Sequence, residues 1–182
     1  WLNPKIALPI VQKAADRSID EWIQPTFQTA LANLEGRVLE AEKKKEIKTN
    51  LVGREKALFV KGLEVYNREG HCATCHQEDG NGLPAAQFPP LTQTKWVLGD
   101  KDKLIKLTLH GLLGPIVVKG KKYPGQVPMT PFKGLSDEEI ASVLTYVRND
   151  FGNQATPIYP EEVQRIRKET KDQSSFINPK DL

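Results

Sequence analysis

Apolar residues recur along this chain at helical spacing, with little of the alternation that marks strands. Ile6, Ile10, Val11 and Ala14 follow Asn3-Pro4, which reads as an N-cap with proline at the first helical position. Ser18-x-x-Glu21 has the form of a capping box, and Ile19, Trp22, Ile23, Phe27, Ala30, Leu31 and Leu34 make the apolar stripe of the helix it opens. Pro25 is expected in the first turns of that helix or at a kink, and Gly36 at its end. Arg37 to Asn50 is polar, with Glu40 four residues before Lys44, and reads as an exposed helix or linker. Two helices of this size cannot bury an apolar face alone. Residues 1–50 are therefore expected to form a helical extension that packs on the rest of the chain or on a missing neighbour.

The next hundred residues are patterned differently. Leu58, Phe59, Gly62, Leu63 and Tyr66 mark a helix from Gly53 to Glu69, ended by Gly70. His71 to Gln93 is turn-rich, with Gly80, Gly82, Pro84, Pro89 and Pro90. Asp100 to Leu113 is a short helix through Leu104, Ile105, Leu107 and Leu109. Gly114 to Pro131 is a loop rich in glycine and proline. Ser136-x-x-Glu139 opens a last strong helix through Ile140, Val143, Leu144 and Val147, closed by Gly152. Residues 51–152 read as one domain, and 153–182 as a polar tail with one short helix around Glu161 to Lys168. The fold class is all-α.

Composition narrows the class. The 182 residues are 38% apolar and 27% charged, with a net charge of +3, which fits a globular chain and gives no basis for nucleic-acid binding. No apolar run is long enough to span a membrane. The chain begins at Trp1 without a signal-peptide pattern, so it is expected to be a processed product, a domain, or part of something longer. Its two cysteines are too close together to form a disulfide framework.

Those cysteines carry the chemistry. Cys72-Ala73-Thr74-Cys75-His76 is the C-x-x-C-H pattern of covalent c-type haem attachment. Each thiol adds across one porphyrin vinyl group, two intervening residues let the chain bridge both vinyls, and His76 falls beneath the iron. Zinc, a thioredoxin-like dithiol and two structural thiols are the competing readings. Zinc would want a second ligand pair, where only His71 and His110 remain, and a dithiol would want a preceding strand. Met129 is the only thioether in the chain, set in Val127-Pro128-Met129-Thr130-Pro131, where flanking prolines would stiffen the loop and aim the sulfur. It is the candidate second axial ligand, with His110 as its rival. His71 is read as local structure.

The order of these features resembles class I, mitochondrial-type cytochrome c. In that family the first and last helices cross through a small residue and aromatics, for which Gly53, Phe59 and Tyr146 are the matching positions. Pro89-Pro90-Leu91 resembles the family's Pro-x-Leu, which implies that the Pro89 carbonyl takes the ring N–H of His76. Gly80-Asn81-Gly82-Leu83-Pro84, Phe88 to Leu91, Trp96 to Asp100, Leu109 to Leu112, and Leu144 to Asn149 with Gly152-Asn153 look like the cytochrome domains of bacterial periplasmic sugar or alcohol dehydrogenases. The helix pair at 1–35 is similar to the end of a helical-repeat region in such multidomain proteins.

The resemblance implies a His/Met-ligated haem c that transfers electrons and performs no catalysis itself. Its expected partners are a dehydrogenase domain or subunit and a downstream respiratory acceptor. The implied location is periplasmic, with membrane association through a missing segment or partner. Leu91 and Trp96 are pocket candidates beside Pro89, with Phe88, Leu104, Leu107, Leu109 and Ile116 as further wall. Trp96 and Tyr123 are candidate donors to haem propionates, and Lys119, Lys121 and Lys122 a candidate docking patch for an acidic partner. The alternatives are a peroxidase-like haem enzyme with a labile or absent Met129, and a structural module stapled by haem.

Overall fold

The computed structural model describes residues 4–17, 23–43 and 49–182, which fall into two compact units, 1–48 and 49–182. The first unit is a helix pair, α1 (Pro4–Arg17) and α2 (Gln24–Lys43). Its buried side chains, among those described, are Ala15 and Leu31. The face that α1 covers runs through Leu8, Val11 and Ala15, while Ile6, Ile10 and Ala14 are exposed. The expected stripe is thus rotated: Val11 belongs to the covered face and the other three do not. Gln24 Nε2 donates to the Ala15 carbonyl at 2.9 Å, supplying a partner in the last turn of α1. Pro25 is the second residue of α2, as expected, but α2 continues through Gly36. Glycine ends a helix when it turns left-handed, and Gly36 does not. Asn3, Ser18, Ile19, Glu21 and Trp22 lie outside the described residues.

The second unit is built on α3 (Gly53–Tyr66) and α7 (Asp137–Asn149), which cross through Gly62. A Cβ there would collide with the Ser142 carbonyl and lie 2.6 Å from Tyr146 Cβ. The small residue of the crossing is therefore Gly62 rather than Gly53, which sits in open space at the helix start. Phe59 and Tyr66 meet Tyr146 with ring centroids 5.1 and 5.2 Å apart, and Phe151 closes the aromatic cluster at 5.3 Å from Tyr66. The Ser136–Glu139 capping box opens α7 as expected.

Between these helices the chain forms α4 (Cys72–His76), a 3-10 turn at Pro84–Ala86, α5 (Lys95–Leu98) and α6 (Lys101–His110). Asp100 caps α6 by accepting from the Asp102 and Lys103 amides. A two-stranded hairpin follows, β1 (Ile116–Val118) paired with β2 (Lys121–Tyr123) through Lys119-Gly120. Both turn residues have positive φ, the geometry that suits a two-residue hairpin. Strands of three residues are too short to show alternation, so the sequence reads only a loop there.

Residues 153–182 belong to the same unit and do not trail from it. Thr145 Oγ1 donates to the Ile158 carbonyl at 2.9 Å and accepts from the Ile158 amide at 3.0 Å, pinning the returning chain to α7. From there α8 (Pro160–Glu169) buries Val163 and Ile166 fully. Arg167 in α8 donates to Asp137 and to the Lys133 and Leu135 carbonyls, each at 2.7 Å. A closing 3-10 turn spans Pro179–Asp181. No described helix is long and apolar enough to cross a membrane.

Candidate haem site

The C-x-x-C-H residues form α4, one turn of helix reached from α3 through Gly70 in the left-handed region. Spacing of i and i+3 puts Cys72 and Cys75 on one side of that turn. Both are half-buried and unbridged. Burial pushes the Cys72 thiol up to about 11 and raises Cys75 as well. A redox-active dithiol needs the opposite, a thiol stabilised as thiolate. Among the described residues no three His, Cys, Asp or Glu side chains converge, so a tetrahedral zinc site lacks its ligands.

His76 is held for a different purpose. Its Nδ1 lies 2.8 Å from the Pro89 carbonyl, which can only accept, so Nδ1 carries the proton. Burial lowers the ring's proton affinity and keeps it neutral. The lone pair is therefore on Nε2, which has no hydrogen bond among the described residues. That is the arrangement of a metal-binding histidine with its second ring nitrogen fixed. Two neutral, unbridged thiols on the same short helix complete a donor set that fits covalent haem.

The loop presenting Pro89 is tightly specified. A Cβ on Gly82 would strike the Phe88 carbonyl and lie 2.6 Å from Pro89, so only glycine lets the chain lie this close. The Leu91 amide donates to the Gly80 carbonyl at 2.7 Å. Asn153, 2% exposed, spans the loop and the end of α7. It donates to Leu91 O at 3.1 Å and Val147 O at 2.7 Å, and accepts from the Gln93 amide at 2.6 Å. Tyr66 Oη donates to Gln77 O at 2.7 Å, fixing the residue after His76. Sequence reasoning places Gly152-Asn153 within a familiar pattern but assigns the asparagine no work. The need for it appears only when the loop and helix end are brought together.

Met129 is half-buried and pairs with Leu112 in a short antiparallel bridge. Met129 N donates to Leu112 O at 2.9 Å, and Leu112 N to Met129 O at 3.2 Å. Its rival is otherwise engaged. Thr170 Oγ1 donates its proton to Ile166 O at 2.8 Å, so it accepts from His110 Nε2 at 2.7 Å. His71 makes one local contact, its Nδ1 lying 3.0 Å from Glu69 O, and one across the fold, its ring lying 5.5 Å from Phe132.

The Trp96 indole N–H donates to the Val117 carbonyl at 3.0 Å, tying α5 to β1. Tyr123 is buried under the Lys121 ammonium, 5.5 Å above its ring. Leu104, Leu107 and Leu109 are core residues, whereas Phe88, Leu91 and Ile116 are half-buried with surface to spare. The hairpin carries Lys119, Lys121 and Lys122 together, all exposed.

Residues 59–150 match the family model of cytochrome c. The chain is 39% identical over 124 residues to a cytochrome c-552 of Thermus thermophilus, covering 60% of this chain and 82% of that protein. It is 34% identical over 110 residues to the cytochrome c subunit of a quinone alcohol dehydrogenase from Gluconobacter oxydans, covering 58% of this chain and 22% of that subunit. Against the fructose dehydrogenase cytochrome subunit of Gluconobacter japonicus, identity is 32% over 101 residues, with 54% and 21% covered. The helical fold, the C-x-x-C-H turn and these likenesses agree: the chain belongs to the cytochrome c family, class I, and its cofactor is covalently attached haem c.

Proposed function

We propose that this electron-transfer domain binds its haem through Cys72 and Cys75 thioethers, with His76 and Met129 as the axial ligands. When bound, the haem supplies a one-electron ferric/ferrous couple, and a thioether ligand favours the ferrous state relative to a second histidine. The protein's own part is to hold two donors still. Pro89 fixes the tautomer and plane of His76, and the Leu112 bridge fixes the backbone of Met129. With His76 and Met129 both given to the iron, the protein would leave no position there for a substrate, and the chain would work by outer-sphere transfer. The observation that carries the reading is the Nδ1–Pro89 bond, which leaves Nε2 as a neutral donor on the cysteine-bearing turn.

The named dehydrogenase subunits among the relatives support a donor of that kind, either a dehydrogenase domain or a separate subunit, with a respiratory acceptor downstream. Covalent haem attachment in bacteria takes place outside the cytoplasmic membrane, so the proposed location is the periplasm. Residues 1–50 are the proposed end of a helical-repeat region, with 51–152 as the haem-binding core and 153–182 completing it.

The test is absorption of the oxidised and reduced protein through the near-infrared sulfur–iron band, beside Met129→Ala. A low-spin c-type spectrum whose near-infrared band disappears in the variant is expected. A haem spectrum that lacks the near-infrared band in the wild type and is unchanged by the substitution would remove Met129 from the iron, pass the sixth position to His110 or an external group, and reopen the peroxidase-like reading.

A further inference from the structure

Met129 does not hold its position alone. Leu112, which pairs with it on one side, pairs on the other with Ile177 in a parallel bridge, so three chain segments lie edge to edge. The Ile177 amide donates to Gly111 O at 3.1 Å, and the Leu113 amide to Ile177 O at 3.0 Å. Gly111 makes the stack possible. It has a φ of 72°, and a Cβ there would meet the Met129 carbonyl and, at 2.8 Å, the Phe176 ring. Beyond the bridge, Asn178 caps the Pro179–Asp181 turn, and Pro179 Cδ lies 2.9 Å from where a Cβ on Gly114 would be. Ile177 is 8% exposed.

We propose that residues 176–178 are a positioning strap for the sixth ligand: by bonding to Gly111 and Leu113 they immobilise the Leu112 edge on which Met129 is hung, and so set how readily the methionine leaves the iron. The proposal rests on the reading of Met129 as an axial ligand. Without the strap, Leu112 would be a short free edge between two left-handed glycines, Gly111 and Gly114, and the bridge to Met129 would open with it. Retention of the weak ligand would then depend on a segment more than 60 residues from Gly111 in the sequence. The same strap suppresses the ligand-open, peroxidase-like state.

The test uses the intact holoprotein with Ile177→Pro, which deletes the amide that bonds Gly111 while keeping an apolar side chain. Ile177→Ala keeps the amide and serves as the control for lost side-chain packing. Imidazole, titrated into the ferric protein, competes with Met129 for the iron. Ile177→Pro is expected to bind it roughly fivefold more tightly or better, the factor for one backbone hydrogen bond. The Met129 and Leu112 amides are expected to exchange with solvent faster by a similar factor. Ile177→Ala should change either quantity less. Unchanged imidazole affinity and unchanged Met129 exchange in a folded Ile177→Pro protein would overturn the strap. If that variant does not fold, Asn178→Ala in the full chain, which removes the cap of the Pro179–Asp181 turn behind the strap, gives the same two readings. Failure of the underlying ligand reading is distinguishable: the wild-type near-infrared band would be missing, while Met129 exchange would still report whether the strap holds the loop.

Discussion

At the scale of single residues, the glycines separate into those that matter for packing and those that matter for turns. Gly62 has no room for a side chain, because the Ser142 carbonyl and Tyr146 Cβ occupy the place. Gly62→Ala must push α3 off α7, and overpacking of this kind costs about 1–3 kcal/mol or more. Gly53→Ala meets only the strain of its positive φ, roughly 1 kcal/mol. Urea unfolding should rank the Gly62 variant clearly below the Gly53 variant. The reverse ranking would mean that the helices do not cross where described. Asn153 is a second such residue. Removing its side chain leaves Leu91 O and the Gln93 amide without their partner beside the Pro89 loop. Asn153→Ala is expected to cost about 1–3 kcal/mol and to alter the reduction potential through the tilt of His76. A stability loss with an unmoved potential would confine Asn153 to structure.

At the scale of elements, what is legible in the sequence is what is determined locally. The caps of α6 and α7 involve residues two or three apart, and both helices begin where Asp100 and Ser136 say they should. The C-x-x-C-H turn is equally local. The strap, the Asn153 junction and the Gly62 crossing depend on residues 60 or more positions apart, and no pattern in a single stretch announces them. The rotated stripe of α1 has the same cause: several apolar arcs are available, and the partner helix chooses between them. The α7 cap also yields a pH prediction. The Ser136 amide, then Arg68 and the Ser136 hydroxyl, hold the Glu139 carboxyl down at about 2, against an ordinary value near 4.5. A depressed carboxylate stabilises the fold above its unfolded pKa, and that contribution fades as pH falls from about 4.5 towards 2. In urea titrations, the stability gap between wild type and Glu139→Gln should be full at about pH 6 and close progressively below about pH 4.5. A gap independent of pH would mean the carboxylate is not engaged by the cap.

At the scale of the whole molecule, the two units are unequal in what they bury. Residues 49–182 fully enclose Phe59, Tyr66, Ile105, Leu109, Ile140, Ile158 and Ile166, a core drawn from α3, α6, α7, α8 and the segment before it. Among the described residues of the first unit, only Ala15 and Leu31 are buried, and Ile6 and Ile10 stand about 60% exposed. Burial of apolar surface contributes about 25 cal/mol per Å², against roughly 1–2 kcal/mol of backbone entropy for each ordered residue. The two buried side chains among the described residues do not offset that entropy by themselves. The fragment Thr49–Leu182 is therefore expected to fold, take up haem and melt within a few degrees of the intact chain. The peptide 1–48 is expected to show little helix by circular dichroism. A fragment 49–182 that melts far below the intact chain would mean that the haem-binding unit leans on the helix pair for its stability. A peptide 1–48 that is helical and melts cooperatively would mean that the pair buries more of itself than Ala15 and Leu31 account for.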